Sequence, residues 1–390
     1  MDRTINNHKG FLMIFAIITA LSSVVLIEPA PYDLLLVMLI GIAIVCQYAR
    51  YVSHHFWPVL CLLLFVETNL ISLFFVQDME QASYYLLITL YCMITFTGII
   101  GIASFYGIVL LPYAFYAYTI AALLVVIPGI IAYVLQGSIL DLFLWEGRVK
   151  GLFKDPNVFG PFLVPPVLYA LWKIGRKGQR TGQIVVWVVI FIILTLGILL
   201  SFSRAAWGQF ILAAGIYFLL MNDASTRRMK TLVILTMVFV PVLIYVIMQT
   251  SIGDLFYERL GIQHYDQTRF QKQEDSLEFM LAYPLGFGPG QSEHFLNHST
   301  HNLFIRMISE NGVFGCLFFC LFCLMTLVRS FYMSKYSSIA SSGYFIIITA
   351  SLLGIFLNSL FIDTMHWRHF WFLLALPWMD IKPSIKSKKV

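Results

Sequence analysis

Apolar blocks of about 17 to 25 residues, the length a helix needs to cross a bilayer, recur along the whole chain and constrain its fold more than any other feature. The composition agrees: 59% of the 390 residues are hydrophobic and only 12% are charged. A soluble fold carries roughly 25% charged residues. The soluble classes are therefore excluded. Inside lipid each span must satisfy its own backbone hydrogen bonds, so every block is predicted to be helical. The blocks predict about twelve spans, at 11–27, 33–49, 56–76, 83–103, 107–134, 156–174, 183–201, 204–221, 231–250, 299–328, 343–362 and 367–380. The expected fold is an all-α integral membrane protein forming one polytopic domain over 1–390. A large extracytoplasmic loop is expected between spans nine and ten. No internal repeat stands out, and no cleavable signal peptide is expected. The six cysteines lie inside apolar runs, which suits packing better than a disulfide framework.

Lys and Arg set the expected orientation. With the N-terminus in the cytoplasm, most of the 25 basic residues fall on the cytoplasmic side. The short loops 174–182 and 222–230 are strongly basic, and the tail 381–390 is a basic cytoplasmic segment suited to anionic lipid. The segments 135–155 and 251–298 then face outward and are too long to be simple turns. They carry basic residues against the bias. The plain alternative is a solvated cap without chemistry.

Four clusters within 147–315 could carry chemistry. In the first, Arg148, Lys150 and Lys154 precede Asp155-Pro156-Asn157, a helix start with Asp155 as cap and Pro156 at the first helical position. Pro161, Pro165 and Pro166 follow, so the outer end of that helix is not expected to be regular; a simple kink is the alternative. In the second, Ser203-Arg204 opens a span. A guanidinium at the apolar edge either snorkels to headgroups or grips a phosphate through paired hydrogen bonds. The third cluster is the long loop, with Arg259 and Arg269 and then Pro284-Leu-Gly-Phe-Gly-Pro-Gly290, a turn that permits close backbone approach.

The fourth runs from His294 through His298 to His301-Asn302, then Gly312 and Gly315. Three histidines on one helical face could bind zinc. Asn297 and Ser299 point instead to a helix capped near 299, with His301 in its first turn. A helix N-terminus favours anions and disfavours imidazolium, which suits a neutral general base beside a bound phosphate. Gly312 and Gly315 would let a neighbouring helix approach closely. Arg306 and Glu310, four residues apart, can pair.

The order and spacing of these motifs across 148–315 resemble the O-antigen ligase and O-antigen polymerase superfamily of bacterial envelope assembly. The resemblance rests on Gly-Arg148, Gly151-Leu-Phe, Asp155-Pro-Asn157 and Ser203-Arg204. It continues through the long loop with Arg269 and the glycine-rich turn to His301-Asn302, nine residues and Gly-x-x-Gly. It implies a C-type helical glycosyltransferase that takes a glycan from an undecaprenyl-diphosphate donor, with inversion and without a metal or cofactor. The family's catalytic histidine maps onto His301. Its diphosphate-binding arginines map onto Arg204 and Arg269, with Arg148 beside them. Asp155, Asn157, Asn302, Gly312 and Gly315 would shape the site. Cys316, where the family has a small hydroxyl residue, is a departure.

The implied partners are a lipid-linked glycan donor, a glycan or lipid-linked acceptor and membrane lipids, with no nucleic acid. The implied place is the bacterial inner membrane, multi-pass, with the active site outside the cytoplasm. The shared motifs do not separate a ligase from a polymerase or from a protein-modifying branch. The rival class is a transporter or flippase of envelope glycolipid, for which twelve spans is a common plan. Transporters, however, bind near the bilayer midplane and often show repeats.

Overall fold

A computed structural model describes residues 9–135, 137, 140–176, 178–221, 283–296 and 301–381. The chain is largely α-helical. In chain order the helices are α1 (Lys9–Ala20), α2 (Pro31–Val45), α3 (Phe56–Ser72), α4 (Met79–Tyr106), α5 (Leu110–Leu135) and α6 (Pro156–Gly175). Then come α7 (Thr181–Leu200), α8 (Arg204–Leu220), α9 (Ser292–Leu296), α10 (Leu303–Tyr336), α11 (Ile339–Asn358) and α12 (Arg368–Ala375). Among the described residues one hairpin interrupts the helical pattern, β1 (Leu144–Trp145) against β2 (Arg148–Val149). Its turn residues Glu146 and Gly147 both have positive φ, the requirement of a two-residue hairpin turn.

The expectation of about twelve spans is overturned. Among the described residues six helical stretches are long and apolar enough to cross a membrane: Ser53–Phe75, Met79–Leu135, Pro156–Gly175, Thr181–Leu200, Leu303–Tyr336 and Ser341–Asn358. Apolar composition overcounts because it does not register where a helix stops. The blocks at 11–27, 33–49 and 204–221 hold helices of 12, 15 and 17 residues. At 1.5 Å per residue the first two fall well short of the ~30 Å hydrocarbon core, and the third, at about 26 Å, is at its lower limit. The blocks at 83–103 and 107–134 form one helical stretch through a short 3₁₀ turn at Gly107–Val109. The block at 367–380 holds the eight-residue α12. The predicted span 231–250, most of the loop 251–298 and the tail beyond Ile381 lie outside the described residues. Several long apolar helices define a multi-pass membrane protein.

The core is centred on α6, almost all of whose residues are buried, including Phe159, Phe162, Leu163 and Tyr169. On α7, by contrast, Val185, Val186, Val189 and Ile192 form an exposed apolar stripe, the face a helix offers to lipid. Despite Pro161, Pro165 and Pro166, α6 runs unbroken from Pro156 to Gly175, so the irregular outer end expected from the prolines is not found. A side chain from α8 serves one of the carbonyls that the prolines leave without an N–H. Pro165 has no N–H for the carbonyl of Pro161 four residues back, and Gln209 Nε2 donates to that oxygen at 3.4 Å.

Candidate functional site

The hairpin turn places Arg148 against the start of α6. Its Nε donates to Ser201 O at 2.9 Å and its Nη2 to Asn157 Oδ1 at 2.9 Å. Asp155 caps α6 by accepting from the Asn157 N–H at 2.7 Å, and Pro156 takes the first helical position. Arg148 is therefore pinned by two acceptors, one side chain and one carbonyl. That carbonyl belongs to the tight connection between α7 and α8, where Phe202 has φ 48°. Ser203 caps α8, accepting from Ala206 N at 3.4 Å, and Arg204 is the first residue of that helix. Gly160 makes the close approach possible. A Cβ there would stand 2.7 Å from Ala206 Cβ and 2.8 Å from Ser201 Oγ.

The C-terminal end of α11 joins this assembly to α10. Gln209, on α8, accepts from Asn358 Nδ2 at 2.7 Å while it serves Pro161 O on its other side. Gly354 lets α8 pass, since a Cβ there would meet Gln209 Cγ at 2.9 Å. Just beyond α11, Ser359 O accepts from Leu303 N at 2.9 Å and Leu360 O accepts from Asn302 Nδ2 at 3.0 Å. Asn302 also caps α10, its Oδ1 accepting from Phe304 N at 3.0 Å and Ile305 N at 3.1 Å. The starts of α6, α8 and α10 thus lie at one end of the bundle. Each helix start carries roughly half a positive charge.

The glycine-rich turn is bonded to a break in α10. At Gly312 the backbone leaves the helix, with φ 73° and ψ 176°. Val313 N donates to Pro284 O, while Phe287 N and Gly288 N donate to the carbonyls of Ser309 and Glu310. A Cβ on Gly312 would lie 2.6 Å from the Leu285 carbonyl carbon, so only glycine fits. Gly315 faces α3, where a Cβ would stand 2.8 Å from Thr68 Oγ1. The buried Glu310 accepts from Gly290 N at 2.8 Å, Ser292 N at 3.2 Å and Ser292 Oγ at 2.5 Å. Arg306 pairs with Glu310 at 3.0 Å and with Asp363 at 2.7 Å.

Among the sequence-predicted residues, Arg148, Asp155, Asn157, Arg204, His301 and Asn302 are gathered at this one end. Arg269, Arg259 and His298 lie outside the described residues. His301 is exposed and stands one residue before the cap, not in the first turn of the helix, because Asn302 and not a residue near 299 caps α10. His294 is also exposed, on the short α9. Among the described residues no group of three or more His, Cys, Asp or Glu is placed to hold a metal ion. Sequence reasoning missed Gln209 and Asp363. A polar residue in an apolar run facing a Pro-x-x-x-Pro helix was the available signal for the first. Asp363 gave none, since its partner is 57 residues away.

A multi-pass helical membrane protein with Arg148, Arg204 and three helix starts gathered at one end is the class defined by this arrangement. Residues 189–320 match the family model described as O-antigen ligase. The chain therefore contains an O-antigen ligase domain, in keeping with the ligase and polymerase superfamily; the match takes in Arg204, the glycine-rich turn, His301-Asn302, Gly312 and Gly315. Arg148 and Asp155–Asn157 precede it. No curated protein matches the chain.

Proposed function

We propose that this protein is a metal-independent, inverting membrane glycosyltransferase that moves a glycan from an undecaprenyl-diphosphate donor to an acceptor hydroxyl in surface-polysaccharide assembly. The observation that supports it most is the meeting of Arg148, Arg204 and three helix starts at the end of the bundle where His301 is exposed. Backbone N–H groups and guanidinium forks suit a diphosphate. Arg204, with Arg148 and Arg269, would hold the donor and stabilise the diphosphate as it leaves. His301 would take the proton of the acceptor hydroxyl as its oxygen bonds to the anomeric carbon and the bond from that carbon to the phosphate oxygen breaks. Attack from the opposite face inverts that carbon. The site would face out of the cytoplasm in a bacterial inner membrane.

The test is turnover by purified protein supplied with lipid-linked glycan, with chelator present. His301→Ala should bind donor normally and lose transfer by on the order of 10²–10⁴-fold. Arg204→Ala should lose on the order of 10²–10³-fold, with poor rescue by Arg204→Lys. Near-normal turnover by both alanine variants, or loss of activity on metal removal, would overturn the reading.

A further inference from the structure

Beside the start of α10 lies a pocket whose chemistry differs from that of the arginine knot, the end of the bundle where Arg148 meets the connection that leads into Arg204 and α8. Arg306, Glu310, Asn311, Asp363, His366 and Thr89 line it together with apolar side chains and Tyr85. Its one guanidinium is committed to Glu310 and Asp363 and lies 4.7 Å from the centre of the Tyr85 ring. One cation between two carboxylates leaves a formal excess of negative charge, so the pocket repels phosphate.

Its open valences are acceptors. The single hydroxyl proton of Thr89 goes to the Tyr85 carbonyl at 3.0 Å. Thr89 Oγ1 also lies 3.0 Å from His366 Nε2. In the tautomer that carries its proton on Nε2, the imidazole donates to Thr89 and Nδ1 of His366 keeps a lone pair for a ligand. Asn311 behaves alike. Its Nδ2 donates to Asn69 Oδ1 at 2.6 Å, and Asn69 in turn donates to Phe65 O at 2.7 Å, so Asn311 Oδ1 is the end of the chain. Burial holds the imidazole of His366 down at about 4, which keeps it an acceptor at neutral pH. Two neutral acceptors and a carboxylate in a net-negative pocket call for a neutral ligand rich in O–H donors.

We propose that this pocket receives the hydroxyl edge of the acceptor sugar, with His366 Nδ1 and Asn311 Oδ1 as the atoms that select it. The proposal rests on the glycosyltransferase reading and deepens it. Leu303 and Arg306 line the pocket, and His301 precedes Leu303 by two residues, so a sugar held here would present its edge near the proposed base. Donor and acceptor would then be sorted by charge, phosphate to the arginine knot and hydroxyls to this pocket.

The test is saturation-transfer NMR on the full chain in nanodiscs, with the methyl glycosides of glucose, galactose and N-acetylglucosamine as probes at millimolar concentration. At least one should bind, and excess inorganic pyrophosphate should not displace it. His366→Gln keeps a donor to Thr89 and loses the Nδ1 acceptor; Asn311→Ala loses the other acceptor. Each should weaken binding by about tenfold, the worth of one hydrogen bond of roughly 1.4 kcal/mol. The proposal is overturned if no glycoside binds, if pyrophosphate competes, or if either acceptor variant binds normally while monodisperse. Should glycosides bind in this pocket-dependent way while lipid-linked donor is never turned over, the transferase reading falls and the pocket stands. Turnover without pocket-dependent binding removes the pocket assignment alone.

Discussion

Glu310 has the chemistry of a general base but not the freedom of one. Both its oxygens are occupied by donors from the glycine-rich turn and from Arg306. Its role is to hold that turn against the broken helix. Glu310→Gln would replace one acceptor oxygen with an amide that faces donors. Breaking a buried pair from one side costs about 3–5 kcal/mol, and a marked fall in the thermal midpoint in detergent should report it. Gly312→Ala should destabilise as well, because the added methyl meets backbone atoms that cannot move aside. His366 gives a pH signature. Its value of about 4 lies below the ordinary 6.5, chiefly through burial. Between those values the unfolded chain takes up a proton that the folded chain refuses. The stability linked to this group is therefore complete above 6.5 and is lost as the pH falls towards 4. Thermal midpoints followed across that window should fall with acid more steeply in the parent than in His366→Gln.

At the scale of elements, Gln209 reaches α6 from α8, serves the carbonyl that Pro165 leaves open and is itself held from α11. Gln209→Leu would leave Pro161 O and Asn358 Nδ2 without partners. Each buried polar group so orphaned costs about 1–3 kcal/mol. The measurement is again the unfolding midpoint, with Gln209→Glu as a variant that keeps one acceptor. Features that depend on neighbours in sequence were legible beforehand. Asp155 caps the helix that Pro156 begins, and Arg306 reaches Glu310 one turn on. Features that depend on distant chain were not. Nothing near Pro161 says that a glutamine 48 residues away will satisfy its carbonyl. The span count failed for a related reason: composition marks apolar stretches, but whether a stretch is one helix, two short ones or a bent one depends on breakers such as Gly107 and on tertiary packing. Of the site, the residue types and their order could be read. The position of His301 relative to the cap, and the convergence of the arginine knot with the start of α10, could not, because α11 makes that join.

For the whole molecule, the proposed sidedness makes a direct prediction. Asp141 is exposed beside the hairpin that carries Arg148. In a background with the six native cysteines replaced, an Asp141→Cys variant should react with an impermeant maleimide added to intact cells. Reaction only after the membrane is opened would place the arginine knot on the cytoplasmic side and remove the proposed donor site from the surface where envelope glycans are assembled. The same end of the bundle holds three helix starts and the exposed His301, so one labelling result bears on the whole arrangement.

The interval from Asn302 to Gly312 behaves as a ruler clamped at both ends. Asn302 is tied to Leu360 O, and the next residue after Gly312 is tied to Pro284 O. A helix turns by about 100° per residue, so one residue added or removed between the clamps cannot be absorbed by sliding. Arg306 and Glu310 would swing towards lipid, and the Asp363 carboxylate would lose its cation. The distance in sequence between the His-Asn pair and the glycine is thus a mechanical dimension of the molecule, as fixed as the bore of a bearing.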